Sequence, residues 1–316
     1  MATPVTVYRW DDVGAPQVVD GRPSEYLNVL KKCLIEGYGT KVGLGWSLLD
    51  EETAAPYCAF INDNSIGSGG AAMFSASNDN VGQKVTVRGA QDYIDRVNYS
   101  RSTPYHAFDY ASAGGGMNKY WILIGTGKAF YFFCYSDYSM ETNKTTTRHV
   151  ISFFIGDMNS LIPNDPATFI CIAGVQNNSN TSWSYSLPYK FGEVNLVNIS
   201  SIHPLDGTDN ATQFSITSLF SVYGYVNGNH TSAPNILVLS PSYIALGSGS
   251  IISSSQYQNE TQPFIRGLVP GLFIASDAGY KDDVPPVIKE LNGANHYLIP
   301  TCNSNTGCAW INLESW

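Results

Sequence analysis

Two nearly uninterrupted runs of large apolar residues constrain the fold more than any other feature of this sequence. Residues 121–124 read Trp-Ile-Leu-Ile and residues 130–133 read Phe-Tyr-Phe-Phe, with Gly-Thr-Gly-Lys between them at 125–128. A strand with one face in water would alternate apolar and polar side chains, and these runs do not alternate. We therefore predict a β-hairpin that is buried on both faces, with its turn at 125–128.

The N-terminal region carries the clearest helical pattern. Apolar side chains recur there at the spacing of one helix face, at Leu27, Leu30 and Leu34. We predict a helix over about 25–36 that buries this stripe, with Ser24 as its N-cap and Gly37 as its stop. A second, weaker helix is predicted over 283–291, with its first turn at the two prolines, 285 and 286.

Most other apolar segments are short, rich in β-formers and separated by turn residues. We predict strands at 5–10, 84–88, 150–155, 169–173, 214–217, 222–226, 236–239 and 296–299. Strands without intervening helices favour a mainly β (α+β) fold, with antiparallel sheets in a sandwich-like arrangement and one prominent N-terminal helix. The polar, Gly-rich stretches are predicted to be surface loops, at 61–70, 75–82, 176–186 and 228–233.

A shift in composition near residue 160 is the best internal boundary. The segment before it holds the helix and the aromatic hairpin, and the segment after it is richer in Ser, Asn and Thr. We predict two β-rich lobes, 1–160 and 161–316, and leave open whether they are separate domains or parts of one.

The charge balance excludes several classes of protein. The 316 residues include 17 Lys+Arg and 26 Asp+Glu, a formal net charge of −9. A protein that follows nucleic-acid phosphates would carry clustered Lys and Arg, so we expect no nucleic-acid partner. A membrane span needs about 20 apolar residues, and no segment provides them. The first residues lack the features of a signal peptide, so we expect a soluble protein made in a cytoplasm.

The six cysteines fall into two groups. Four lie in apolar contexts and are predicted to be buried free thiols, Cys33, Cys58, Cys134 and Cys171. Cys302 and Cys308 flank a turn-forming stretch, and they are the candidate disulfide pair, with free thiols as the alternative. A single Cys-x5-Cys pair is a poor zinc site, so no metal is expected there.

No catalytic motif stands out. The turn at 125–128 lacks the Ser or Thr of a phosphate loop, and no nucleophile elbow or His-Glu-x-x-His is present. The adjacent carboxylates at 11–12, 51–52 and 282–283 are interpreted as solvated pairs, and the acidic stretch at 203–210 as an Asx turn and not a Ca²⁺ loop. We expect no enzyme activity, catalytic residue, cofactor or metal, although a triad built from distant residues stays open.

Aromatic residues are the remaining signal. The chain has 20 tyrosines, which combine an apolar ring with a polar tip and suit protein interfaces and sugar-stacking surfaces as well as cores. Trp310 and Trp316 lie at the end of the sequence, where core packing is a weaker explanation. We name Trp10, Trp310 and Trp316 as a candidate assembly interface.

Several segments together resemble a family of tailed-bacteriophage virion structural proteins, described as virion-associated or tail-associated. They are residues 15–21, the helix segment 27–34, Gly-Tyr-Gly at 37–39, Gly-Trp at 45–46, Arg-Gly-Ala at 88–90, the aromatic strand 130–133, and 154–157, 266–272 and Trp316. The resemblance extends over about 7–155 and from 266 onward. It implies no catalytic residues.

The resemblance and the missing motifs favour one functional hypothesis. The chain is expected to be a structural component of a tailed-phage virion, at the tail, baseplate or neck, that assembles with other virion proteins and with copies of itself in a ring. The alternatives are a receptor- or glycan-binding module at the tail tip, a capsid decoration protein and a host-surface hydrolase. The expected location is the virion.

Overall fold

The fold is mainly β and contains three antiparallel sheets and one short N-terminal helix, as predicted. A computed structural model describes residues 2–108, 117–136, 151–173, 200–218, 237–246, 265–276, 280, 283, 286–299 and 309–316. The helix α1 spans Pro23–Lys31 and continues as a π-helical turn over Lys32–Glu36.

The strands follow in chain order. The first seven are β1 Thr6–Arg9, β2 Ser47–Glu52, β3 Tyr57–Ile61, β4 Ala71–Ser75, β5 Val85–Tyr93, β6 Tyr99–Ser102 and β7 His106–Phe108. The next five are β8 Asn118–Gly125, β9 Ala129–Ser136, β10 Ile151–Asp157, β11 Asn159–Ser160 and β12 Phe169–Ile172. The last seven are β13 Ser200–Ile202, β14 Thr212–Thr217, β15 Leu239–Leu246, β16 Ile265–Ala275, β17 Ile288–Leu291, β18 Ala294–Leu298 and β19 Ala309–Asn312.

The central sheet has the order β1-β8-β9-β10-β12, and both of its faces are buried. Along β9, Phe130 and Phe132 belong to one hydrophobic core, while Tyr131 and Phe133 belong to the other. Every position of a doubly covered strand meets a core, which explains the unbroken apolar runs. The predicted hairpin is confirmed, because β8 pairs with β9 across the turn at 125–128.

The first core lies between the central sheet and the N-terminal sheet, β2-β3-β4-β5-β6 with β7 also paired to β5. Helix α1 packs Leu27, Leu30 and the neighbouring Tyr26 into it, as the leucine spacing predicts. Gly37 ends the helical segment with a φ of +74°, and a Cβ there would lie 2.2 Å from the carbonyl oxygen of Lys41. The predicted extent and stop of the helix are therefore confirmed.

The predicted N-cap is wrong. The capping position is Arg22, one residue before Pro23, and Ser24 already lies in the first turn. The carboxylate of Glu25 accepts the backbone N–H of Arg22 at 3.0 Å and caps the helix entrance. The Ser24 hydroxyl instead donates to the carboxylate of Asp79 at 2.7 Å.

The second core lies between the central sheet and the C-terminal sheet, β13-β14-β15-β16-β19-β18-β17 with β11 paired to β16. The chain enters this sheet at β11, close to the predicted boundary at 160, and then returns to the central sheet as β12. The first and last segments also lie side by side. Thr3 and Trp316 exchange two backbone hydrogen bonds of 2.8 and 3.0 Å, and the N–H of Val5 donates to Glu314 at 3.1 Å.

The second predicted helix, 283–291, is wrong over its described C-terminal part. Ile288–Leu291 forms β17, which pairs with β18 in a hairpin. The turn is made by Asn292 and Gly293, with φ of +53° and +78°. This Asn-Gly dipeptide favours a two-residue hairpin turn and was the local signal for a strand pair.

The other strand predictions have mixed outcomes. Those at 5–10, 84–88, 150–155, 169–173, 214–217 and 296–299 coincide with β1, β5, β10, β12, β14 and β18. The strand predicted at 236–239 begins only at Leu239, and the one at 222–226 lies outside the described residues. The strands that were not predicted are β2, β3, β4, β6, β7, β11, β13, β16, β17 and β19.

Candidate functional site

The outer face of the N-terminal sheet carries a group of tyrosine and arginine side chains. Strands β3, β4 and β5 turn alternate side chains away from the first core, and Ala59, Met73 and Ala90 form a buried floor there. Tyrosine and arginine side chains cover this floor. We call this surface the tyrosine–arginine face and define it as Tyr57, Arg88, Tyr93, Arg96, Tyr99 and Tyr105.

Arg96 holds one end of the tyrosine–arginine face. Its guanidinium lies 4.7 Å from the centre of the Tyr57 ring and donates to both oxygens of Asp50 at 2.9 Å. Hydrogen bonding to Arg96 lowers the pKa of Asp50. Burial and a hydrogen bond with Tyr93 raise the pKa of Tyr57, whose hydroxyl lies 3.1 Å from that of Tyr93. The cation at this end is therefore already neutralised.

Arg88 lies at the other end in a different environment. Its guanidinium carbon is 5.5 Å from the centre of the Tyr99 ring and 5.6 Å from that of Tyr105, and Nη1 donates to the Tyr99 hydroxyl. Nε is shielded from solvent and has no acceptor among the described residues. The other described arginines each pair with a carboxylate: Arg9, Arg22, Arg96, Arg101 and Arg266. Arg88 forms no such pair within the described chain.

The tip of the β5–β6 hairpin exposes two aliphatic side chains. Ile94 is 81% exposed and Val97 is 80% exposed. The tip is held rigid beneath them, because Asp95 accepts the backbone N–H groups of Val97 at 2.9 Å and Asn98 at 2.8 Å. The carboxylate of Asp95 thus fixes the turn that presents both side chains to solvent.

Arg101 joins the N-terminal sheet to the segment before β12 and to the segment before β14. It is bidentate to Asp92 at 2.6 Å, and its Nη1 donates to the carbonyl of Pro166 at 2.6 Å. Its backbone N–H donates to Asp209 at 2.6 Å, and its φ is +47°. Nearby, His203 Nε2 lies 3.1 Å from the carbonyl oxygen of Ser102. This is a structural junction, since every polar group named here contacts the protein itself.

A buried carboxylate anchors the loop between β3 and β4. Asp157 accepts the Nδ2–H of Asn62 at 2.9 Å, the backbone N–H of Ser68 at 2.7 Å and the hydroxyl of Thr168 at 3.1 Å. Burial raises the pKa of Asp157 although these bonds oppose the shift. The prediction that 61–70 is a simple surface loop is therefore wrong at Asn62, which is buried.

The candidate interface tryptophans occupy three different environments. Trp310 is 0% exposed and packs on Tyr280 inside the chain's own core. Trp316 is half-buried, with its ring 5.4 Å from that of Tyr131. Trp10 is half-buried beside Tyr120 at 5.5 Å. Trp310 therefore has no surface to offer a partner in this structure, whereas the other two rings are partly accessible.

The cysteines and acidic motifs can be placed as far as the structure describes them. The four predicted buried thiols are free and buried, as expected, and burial raises the pKa of Cys58 to about 12. Cys302 and Cys308 lie outside the described residues. The Asx turn is confirmed, since Thr208 N–H donates to Asp206 at 2.9 Å.

The acidic pairs are not simply solvated. Asp12 accepts from Lys41 at 2.6 Å and from Tyr38 at 2.7 Å, and Glu51 accepts from Lys31 at 2.7 Å. Among the residues described, no group of three or more His, Cys, Asp or Glu side chains is placed to hold a metal ion.

Sequence reasoning missed the tyrosine–arginine face. Arg88 was noted only as part of an Arg-Gly-Ala segment, and the tyrosines at 99 and 105 only among the 20 tyrosines of the chain.

No helix in the described chain is long and apolar enough to cross a membrane. No protein-family model matches the sequence, and the search of curated proteins gave no match.

Proposed function

We propose that this protein is a structural component of a tailed-phage virion that acts through protein–protein assembly, at the tail, baseplate or neck. The proposal rests on the family resemblance and on one structural observation, the rigid apolar tip formed by Ile94 and Val97. Water disfavours two neighbouring aliphatic side chains that are about four-fifths exposed. A tip fixed in advance by Asp95 would lose little conformational entropy when a neighbour covers it.

Under this proposal the partners are other virion proteins and copies of this chain, and the location is the virion. A ring would be built by a head-to-tail contact that repeats around a closed axis. The hairpin tip of one copy would then insert against a different surface of the next copy. A capsid decoration protein would use the same kind of contact and is kept as an alternative.

The assembly proposal is tested by removing the apolar tip. The double variant Ile94→Asp/Val97→Asp and the matched control Val19→Asp, which alters another exposed aliphatic residue, are compared with wild type by sedimentation velocity over a wide concentration range. We expect wild type and the control to form a defined oligomer and the double variant to stay monomeric with an unchanged melting temperature. A wild-type protein that remains monomeric at high concentration would contradict the proposal for self-assembly. A reconstruction of the assembled particle would then locate the chain or exclude it.

A further inference from the structure

We propose that Arg88, between Tyr99 and Tyr105, is a binding site for the carboxylate of an acidic sugar. This inference does not depend on assembly, because it rests on the side chains of Arg88, Tyr99 and Tyr105 and not on the exposed aliphatic side chains of the hairpin tip.

The charge at Arg88 is the first reason. The chain has more Asp and Glu than Lys and Arg, and each of the other described arginines forms an ion pair with a carboxylate. Arg88 instead lies against two rings, and its Nη2 has no acceptor among the described residues and is not fully buried. Nη1 still has an N–H to spare after its bond to Tyr99. The outer edge of the guanidinium is thus a planar donor pair that matches a carboxylate.

The surroundings of this edge favour a sugar over a protein side chain. Two partly exposed tyrosine rings flank the cation, and the apolar ring surface that remains accessible suits the C–H face of a pyranose. The Tyr105 hydroxyl makes no hydrogen bond to the described residues, and the Tyr99 oxygen accepts from Arg88 while its O–H remains available as a donor. One cation, two partly exposed tyrosine rings and two hydroxyls therefore lie within reach of one sugar ring that carries both a carboxylate and hydroxyl groups.

The backbone fixes this arrangement before any ligand arrives. Strand β5 pairs with β6 over 90–93 and with β7 over 85–87, so Arg88 lies between the two partner strands. Thr103 bridges the gap, because its N–H donates to the Gly89 carbonyl at 2.8 Å and its hydroxyl accepts the Gly89 N–H at 2.9 Å. These two hydrogen bonds hold the segments that carry Tyr99 and Tyr105 in place. Binding of a ligand would therefore cost little conformational entropy.

The test measures binding of an oligogalacturonate by calorimetry, with a neutral galactose oligomer of equal length and a polyglutamate peptide as comparison probes. We expect wild type to bind the acidic oligomer, and to bind both comparison probes at least tenfold more weakly. Arg88→Met should lose at least tenfold in affinity, and Arg88→Lys, which keeps the charge without the planar edge, should lose part of it. Arg9→Met is the matched control, because Arg9 also stacks on an aromatic ring, that of Trp10, but is already paired with Asp11, and it should bind like wild type.

A second readout separates binding from stability. In wild-type protein with ¹⁵N-labelled arginine, the Nε resonance that disappears in Arg88→Met should shift on addition of the acidic oligomer, and that of Arg9 should not. Equal binding of the neutral oligomer, unchanged affinity in Arg88→Met, or no shift of the Arg88 resonance would overturn the proposal. Tighter binding of polyglutamate than of oligogalacturonate would also overturn it and would point to an acidic protein partner.

Discussion

The guanidinium of Arg266 meets the carboxylate of Asp165 in the interior, where 0% and 1% of the two side chains are exposed. Arg266 Nε donates to Asp165 at 2.8 Å, and Nη1 donates to the carbonyl of His203 at 2.6 Å. Ser160 adds a hydroxyl donor to the same carboxylate at 2.7 Å. The pair therefore joins β16 to the loop before β12 and to the segment after β13.

Replacing one residue of this ion pair should lower the free energy of unfolding more than replacing both. Asp165→Leu or Arg266→Met alone leaves an uncompensated buried charge and should lower the free energy of unfolding by about 3–5 kcal/mol. The double variant Asp165→Leu/Arg266→Met removes both charges and should lose less than either single variant. Urea unfolding of the three proteins measures the difference. If the losses simply add, the pair is not coupled in the way the structure indicates.

The same pair predicts a dependence on pH. Burial would raise the pKa of Asp165, but hydrogen bonds from Arg266 and Ser160 outweigh it, and the pKa is lowered. A carboxyl group with a lowered folded-state pKa stabilises the protein above its unfolded pKa of about 3.9, and this stabilisation is lost as the pH falls through the folded value. The free energy of unfolding should therefore fall steeply below about pH 4, and Asp165→Asn should make that fall shallower. An identical slope in the variant would contradict the assignment.

The doubly buried central sheet predicts an unusual result for two neighbouring residues. Phe132 lies 5.4 Å from Phe153 in the first core, and Phe133 lies 5.4 Å from Tyr297 in the second. Phe132→Ala and Phe133→Ala should each lower the free energy of unfolding by about 3–5 kcal/mol. In a sheet with one face exposed to solvent, one of the two substitutions would change the free energy of unfolding little. Chemical denaturation distinguishes these outcomes.

The left-handed backbone conformation of Arg101 predicts that a glycine variant at this position is more stable than an alanine variant. Its φ of +47° lies in the left-handed region, which costs a residue with a side chain about 1–2 kcal/mol. Arg101→Ala loses the contacts with Asp92 and Pro166 and keeps the backbone strain, whereas Arg101→Gly loses the contacts and relieves the strain. The glycine variant should therefore melt at a higher temperature than the alanine variant. The usual order, with alanine the more stable, would show that the strain is absent.

The parts of the fold that were predictable depend on neighbouring residues. The unbroken apolar runs around 125–128 and the leucine spacing at 27–34 are local patterns, and both gave the right element. The strand β17 was missed because the prolines at 285 and 286 were given more weight than Asn292 and Gly293. Strands β3 and β4 were missed because they are short and adjoin a Gly-rich loop.

The candidate site could not be predicted because it depends on strand register and on distant contacts. Nothing near Arg88 in the sequence states that Tyr99 and Tyr105 will flank it, since this follows from how β6 and β7 share one side of β5. Arg266 and Asp165 are separated by 101 residues, and their pairing likewise depends on the assembled sheets. The sequence showed that aromatic residues were abundant, and the structure shows which of them surround a cation.

The pairing of the first and last segments has a mechanical consequence. The backbone of Thr3 bonds to that of Trp316, and the backbone of Val5 bonds to that of Glu314. The two segments are antiparallel, so Thr3 and Trp316 lie side by side at the same end of the pair. A force that pulls these ends apart loads the hydrogen bonds one after another, as in a zipper, instead of loading them all together in shear. This pair should therefore peel at low force while the central sheet is still intact. A load applied to the protein at these two ends would therefore open this pair before it acts on the sheets.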